Sequence, residues 1–448
     1  MRPLSTPTRP PGPQGHFLLG NLPEFGTDVL GFFTSAARTY GDIAYMRMAG
    51  RPAYLLSNPD HIEQVLVGQH QNFIKHSFFW RHVGAIFGNG LLTSEGSFWL
   101  RQRRLSQPAF HRDRIAAYGE VMIAYTERML DGWKAGETRE VHDDLMHLTL
   151  LIVSKVLFDA DVASDVGSVG NALNMALKEI AVRFRRPFRI PDALPLPGNV
   201  RYRKAVRALD DVVYRIIADH HSRTGRGDLL DLLMQVRDDD GTPMTDQQLR
   251  DEAITIMLAG HETTALALSW TLALLSSHPE IDAVLSRELD EVLGGRPPTV
   301  ADFPRLRFTE MVVMEGMRLY PPAYALGREA IAPCRIGGYD IPAAATLFMS
   351  PWVMHRDPRY FDRPLEFRPE RWANGAAATL PRFAYFPFGG GPRVCIGNRF
   401  AMMEAVLLLA CIARRFRLVL DPSCKLVPFP SITLRAANGV RMSVAPRR

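Results

Sequence analysis

The residues best equipped for chemistry lie in Phe388-Gly389-Gly390-Gly391-Pro392-Arg393-Val394-Cys395-Ile396-Gly397. Three consecutive glycines and Pro392 let the backbone turn tightly and approach a flat, bulky group with no side chain in the way. Cys395 falls at the mouth of an apolar helical pattern that starts near Asn398. Free N–H groups and the positive end of a helix dipole favour a thiolate there, and Arg393 adds a cation. Such a sulfur could serve as a redox sensor, a nucleophile or a metal ligand. A lone cysteine more often simply packs, but the glycine and arginine pattern outweighs that reading.

Three further groupings carry functional side chains. Ala259-Gly260-His261-Glu262-Thr263-Thr264 places a glycine and two β-branched hydroxyls inside a long helical pattern, where each lowers helix propensity. Glu315 and Arg318 share a face among apolar neighbours, so a buried pair would need full satisfaction; Arg371, in Pro369-Glu370-Arg371-Trp372, is a candidate third member. Trp99 and Arg103, one helical turn apart, lie in a basic stretch that also holds Arg101 and Arg104.

Phe388, Gly391, Arg393, Cys395 and Gly397 fill every fixed position of the haem-binding signature of the cytochrome P450 family, and five motifs follow in that family's order. The chain therefore resembles that family over almost its whole length. The resemblance implies haem b with Cys395 as the axial thiolate, and Phe388, Gly389, Arg393, Gly397 and Ala259 around the macrocycle. Trp99 and Arg103 would hold one propionate and Arg328 the other, since buried carboxylates need charged or N–H partners. Glu262 and Thr263 would sit in a local widening of the helix and deliver protons; a bulky residue at Ala259 or Gly260 would collide with bound oxygen or substrate. Glu315, Arg318 and Arg371 would be structural, holding the meander before the cysteine loop. Phe79, Ile86, Phe87, Met257, Ala259, Ala325, Leu326 and Ile432 would line a pocket for a hydrophobic substrate.

The implied reaction is monooxygenation with O2, the electrons coming from ferredoxin and ferredoxin reductase with NAD(P)H as their source. No flavin or nicotinamide motif occurs outside the cysteine loop. A peroxide-driven peroxygenase is the alternative, weakened by Thr263; a haem gas sensor would need an output domain. Arg101, Arg104 and Arg112 would form the ferredoxin face, with Arg101 and Arg104 pointing outward.

The expected fold is mainly α with a small β region, the P450 prism, in one domain over 1–448. The spacing predicts a hairpin over 42–57 around Gly50-Arg51-Pro52, a helix capped by Asn58, and a long helix from Thr245 to about Ser277 with Thr245 and Gln248 as a capping pair. Helices are expected over 311–320 and 400–416, a lid over 184–199, and short strands from Leu426 to Val444. Residues 1–15 read as a proline-rich lead, and no apolar run reaches the ~20 residues of a membrane span. Four widely separated cysteines suggest neither zinc nor disulfides and fit a soluble, cytoplasmic protein. A net charge of +6 is modest for 448 residues and argues against a nucleic-acid partner.

Overall fold

The computed structural model describes residues 9–75, 83–160, 166–184, 191, 193–223, 227–237 and 241–447. Ten helices of eleven or more residues dominate them: α1 Val29–Tyr40, α2 Gly96–Ser106, α3 Arg112–Asp131, α4 Val141–Phe158 and α5 Val166–Phe184. They continue with α6 Pro197–Ser222, α7 Asp246–Ser277, α8 Pro279–Leu293, α9 Arg307–Leu319 and α10 Asn398–Arg415.

α7 is the axle. Its 32 residues make a rod roughly 48 Å long. Thr245 caps it, with Gln248 completing the capping box. Apolar residues surround it on all sides, so it sinks between α4, α6, α9 and α10 and forms the spine of the largest hydrophobic cluster. From Leu249 to Ala273 only Ala259, Gly260 and Thr263 are not buried. The helix runs through this stretch without a break; the expected widening is absent. Instead the His261 carbonyl accepts from Thr149 Oγ1 at 2.9 Å and the Ala259 carbonyl from Thr263 Oγ1 at 2.8 Å.

The β region centres on a five-stranded sheet, in the order β1 Ile43–Met48, β2 Arg51–Leu56, β5 Thr346–Met349, β4 Leu326–Ala330 and β3 Phe73–Ile74. β2 and β5 run parallel and the other neighbours antiparallel. Arg51 and Pro52 belong to β2, so Ala49 and Gly50, both at positive φ, make the turn alone. Two smaller apolar clusters fill the two sides of this sheet. Asn58 caps Pro59–Glu63 as expected. Of the expected lid over 184–199, residues 185–190 and 192 lie outside the described residues, and Pro197–Asn199 already belong to α6. No helix among the described residues is long and apolar enough to cross a membrane.

Candidate active site

The cysteine loop is shaped by what lies behind it. Gly391 has φ of 67°, and a Cβ there would come within 1.8 Å of the Leu66 carbonyl oxygen. A Cβ on Gly390 would lie 2.3 Å from the Phe383 ring. Both approaches are tighter than any side chain permits, so the loop lies flat against its support. The Cys395 N–H donates to the Phe388 carbonyl at 3.0 Å and closes the turn, two residues before Gly397 caps α10.

Cys395 keeps an accessible face. Its thiol is nonetheless pushed up from the ordinary value, because burial outweighs the Gly397 N–H, Arg103 and Lys75, which act in the opposite direction. The expected depression is thus reversed in the protein alone: the helix-mouth effect is present but smaller than desolvation. A cation coordinated to the sulfur removes that proton outright.

A cluster of cations sits beside the loop. Arg103 Nη1 donates to the Val394 carbonyl at 2.8 Å. Arg393 donates to the Ser94 carbonyl at 2.8 Å, pairs with Glu95 and stacks 3.9 Å above the Trp99 ring. Arg328 is 7% exposed, and its guanidinium makes one hydrogen bond among the described residues, to the neighbouring Gly327 carbonyl at 2.9 Å. Burial and Arg393 lower its pKa to about 10. Lys75 is lowered well below its usual range by burial, then by Arg328 and Arg393, against Glu95 and Cys395. Its backbone N–H donates to Glu95 Oε1 at 2.6 Å. Sequence reasoning missed both Lys75 and Glu95, which belong to no motif. Arg328 is a buried guanidinium with no carboxylate partner among the described residues, and it lies beside Arg393, whose carboxylate partner is Glu95, so the site is short of negative charge. The two carboxylates of a haem fit it.

Behind the loop, Glu315 and Arg318 are fully buried. Glu315 accepts from Arg318 Nε and Nη2 at 2.8 and 2.9 Å, from Arg371 Nε, the Arg368 N–H and Trp372 Nε1 each at 2.9 Å. Arg318 spends its other donors on the carbonyls of His355, Pro364 and Glu366 at 2.6, 2.7 and 3.0 Å. The His355 ring, held neutral by burial and by Arg318 and Arg356, accepts from the Phe386 N–H at 2.9 Å. The Phe386 carbonyl in turn accepts from the Gly389 N–H at 3.0 Å. An unbroken chain of hydrogen bonds thus runs from α9 to the cysteine loop.

On α7, Thr263 lies on the open patch with Ala259. Glu262 does not share it. Its side chain is buried and turned to the C-terminal hairpin, where Oε1 accepts from Thr433 Oγ1 at 2.8 Å and Arg435 Nε at 2.7 Å. Arg435 also reaches Asn174 of α5 at 2.8 Å. A Cβ on Gly260 would press on Val153 of α4 at 3.0 Å, so helix packing also calls for a small residue there. Of the expected pocket residues, Ala259, Ala325, Leu326 and Ile432 retain exposure, and the Leu326 side chain packs over Gly389. Ile86, Phe87 and Met257 are packed into the central cluster, and Phe79 lies outside the described residues. Arg101 is half-buried, which leaves Arg104 and Arg112 as the exposed cations of that group.

This cradle, thiol and cation set can be compared with known proteins. Residues 10–438 match the family model described as Cytochrome P450. The chain belongs to the cytochrome P450 family. This P450 is 39% identical over 419 residues to cyclooctatin synthase of Streptomyces melanosporofaciens, covering 93% of this chain and 91% of that one. It is 33% identical over 420 residues to pentalenene oxygenase of Streptomyces avermitilis, with coverage of 93% and 92%. It is 34% identical over 389 residues to cyclooctat-9-en-7-ol 5-monooxygenase of S. melanosporofaciens, with coverage of 86% and 84%. This P450 is accordingly a haem-thiolate monooxygenase that acts on a hydrophobic organic substrate.

Proposed function

We propose that this P450 uses haem b, takes its electrons from a ferredoxin and its reductase in the cytoplasm, and oxidises a polycyclic terpene hydrocarbon or alcohol. The named substrates and products of its relatives, cyclooctatin, pentalenene and cyclooctat-9-en-7-ol, support that substrate class. The observation that carries the cofactor reading is the accessible Cys395 thiol on a side-chain-free loop beside buried Arg328, which has no carboxylate partner among the described residues. We read residues 1–448 as one domain.

In this reading Cys395 would ligate the iron, and Arg103, Trp99, Arg328 and Lys75 would hold the propionates. When bound, the haem supplies oxygen activation and transfer of one oxygen atom to the substrate. Ala259, Ala325, Leu326 and Ile432 exclude water from the distal side and present apolar surface, which favours burying hydrocarbon at ~25 cal/mol per Å² over recognising charge. Thr263 holds a proton at Oγ1, parked on the Ala259 carbonyl. Glu262 takes part only if its link to Arg435 opens. Arg104 and Arg112 present a basic face to an acidic ferredoxin.

Two measurements test this. Cys395→His should abolish the thiolate-type absorption of the reduced carbon monoxide complex; an unaltered spectrum rejects the ligand assignment. Neutral terpene alcohols should perturb the haem spectrum at lower concentration than charged ligands of equal carbon count. Tight binding of small charged molecules alone rejects the substrate class.

A further inference from the structure

Three consecutive charged residues near the start of α7, Arg250, Asp251 and Glu252, are 3%, 6% and 1% exposed. Three adjacent polar side chains cannot share one helix face, so each needs partners inside the protein, and Arg250 Nη1 meets part of that need by donating to Asp251 Oδ1 at 2.9 Å. All three reach the same segment. Arg250 Nη1 donates to the Ile86 carbonyl at 2.7 Å. Asp251 Oδ2 accepts from the Asn89 N–H at 2.8 Å. Glu252 Oε2 accepts from the Leu91 N–H at 3.0 Å.

The segment is cut to fit. A Cβ on Gly88 would lie 2.0 Å from Asp251 Oδ1, and one on Gly90 2.4 Å from both the Asp251 carbonyl and Thr255 Oγ1. Gly88-Asn89-Gly90 therefore lies directly on the helix, and the two glycines are an observation independent of the hydrogen bonds. Arg250 also extends away from the segment. Its Nε donates to Asp210 of α6 at 2.7 Å, and Nη2 pairs with the same carboxylate. Gln247 braces Asp251 at 2.9 Å and accepts from Tyr214 of α6 at 3.1 Å.

We propose that Arg250, Asp251 and Glu252 form a clasp that fixes the 86–91 segment on α7 and ties its release to that of α6 through the single guanidinium of Arg250. Arg250 has three partners, Ile86, Asp210 and Asp251, and opening either element alone strips the buried guanidinium of one of them, which is costly. The two therefore open together, and the clasp sets how fast a substrate enters and leaves and how tightly it is oriented. These are positioning residues, and their place at the edge of the substrate chamber rests on the reading given under Proposed function.

The test uses the haem-loaded protein and Asp210→Asn, a change on α6 that touches no atom of the 86–91 segment. Amide hydrogen exchange at Asn89 and Leu91 should quicken by about tenfold, equivalent to about 1.4 kcal/mol. Dissociation of 4-phenylimidazole, followed by its azole–iron absorption band, should quicken by a similar factor while the carbon monoxide spectrum stays of thiolate type. Arg250→Lys, which keeps the charge but loses the fork, should quicken both rates as well. Faster exchange confined to α6, with Asn89, Leu91 and probe dissociation at wild-type rates, overturns the coupling. Should Asp210→Asn fold poorly, Gln247→Ala provides the same readout through Asp251. Loss of the thiolate spectrum in the unaltered protein would instead refute the haem reading and leave the exchange result standing.

Discussion

Replacing Glu315 by Gln isolates charge from shape. The substitution keeps the volume, so no cavity contributes. The wild-type carboxylate receives five hydrogen bonds, three of them from the guanidinia of Arg318 and Arg371. An amide puts an N–H group against donors at one of the two oxygens and removes the only carboxylate among the described residues that pairs with Arg318, whose side chain is fully buried. Breaking a buried pair by neutralising one partner costs ~3 to 5 kcal/mol. Against a typical total of about 5 to 15 kcal/mol, that is a large part of the stability. Urea unfolding followed by tryptophan fluorescence gives the loss, and Trp372 reports directly because its indole N–H donates to Glu315. Because His355 transmits the arrangement to Phe386, the variant should also bind less haem and show less of the thiolate-type carbon monoxide band. Arg371→Met should cost less, about 1 to 3 kcal/mol, since Arg371 is partly exposed and Arg318 remains to balance Glu315. A Glu315→Gln protein within about 1 kcal/mol of wild type, with full haem content, would refute the account of the network.

Four further outcomes are expected. Glu404, buried on α10 near Thr264, is pushed up to about 8 by burial; because the folded state keeps a proton that the unfolded chain releases near 4.5, wild type should lose stability as pH rises from about 4.5 to 8, by at most about 1.4 kcal/mol for each pH step of one, and Glu404→Gln should flatten that fall. Arg328→Met should relieve a buried cation in the haem-free protein yet speed transfer of haem to an acceptor globin severalfold; unchanged transfer would detach Arg328 from the propionates. Thr263→Ala should leave haem content intact while more NAD(P)H ends as peroxide, and wild-type product yield per NAD(P)H would place the relay elsewhere. Ferredoxin reduction should slow with rising salt, and more so in Arg104→Glu, because exposed charges are screened within about 8 to 10 Å; rates indifferent to both would remove the basic face.

The cysteine loop, the Glu315–Arg318 pair and the capped long helix were legible because each is written in neighbouring residues: a glycine run, a three-residue spacing, a capping box. What stayed hidden depends on distant partners. Glu262 looked like a free acid because Arg435, its partner, lies 173 residues away. The packing of Gly260 against Val153 was hidden because nothing local announces Val153. The thiol shift went the other way because helix polarity can be read from position, whereas burial depends on everything folded around the sulfur. Lys75 and Glu95 carry no pattern of their own and gain meaning only beside Arg328 and Arg393. The buried run Arg250-Asp251-Glu252 would have been found by asking where three adjacent charges go in an otherwise apolar helix.

The hydrogen-bond chain behind the cysteine also has a direction in time. Its members, from Glu315 to Phe386, come from one contiguous stretch, whereas the clamps from Arg103 to Val394 and from Arg393 to Ser94 join residues 291 and 299 apart. Closing long separations is the slow part of folding. During synthesis the N-terminal half must wait for more than two hundred residues before its side of the cradle has anything to grip. The rear wall can set within itself as soon as Phe386 is free of the ribosome, and the front wall docks onto it. Capture of the cofactor is thereby placed at the end of chain growth, when both walls exist.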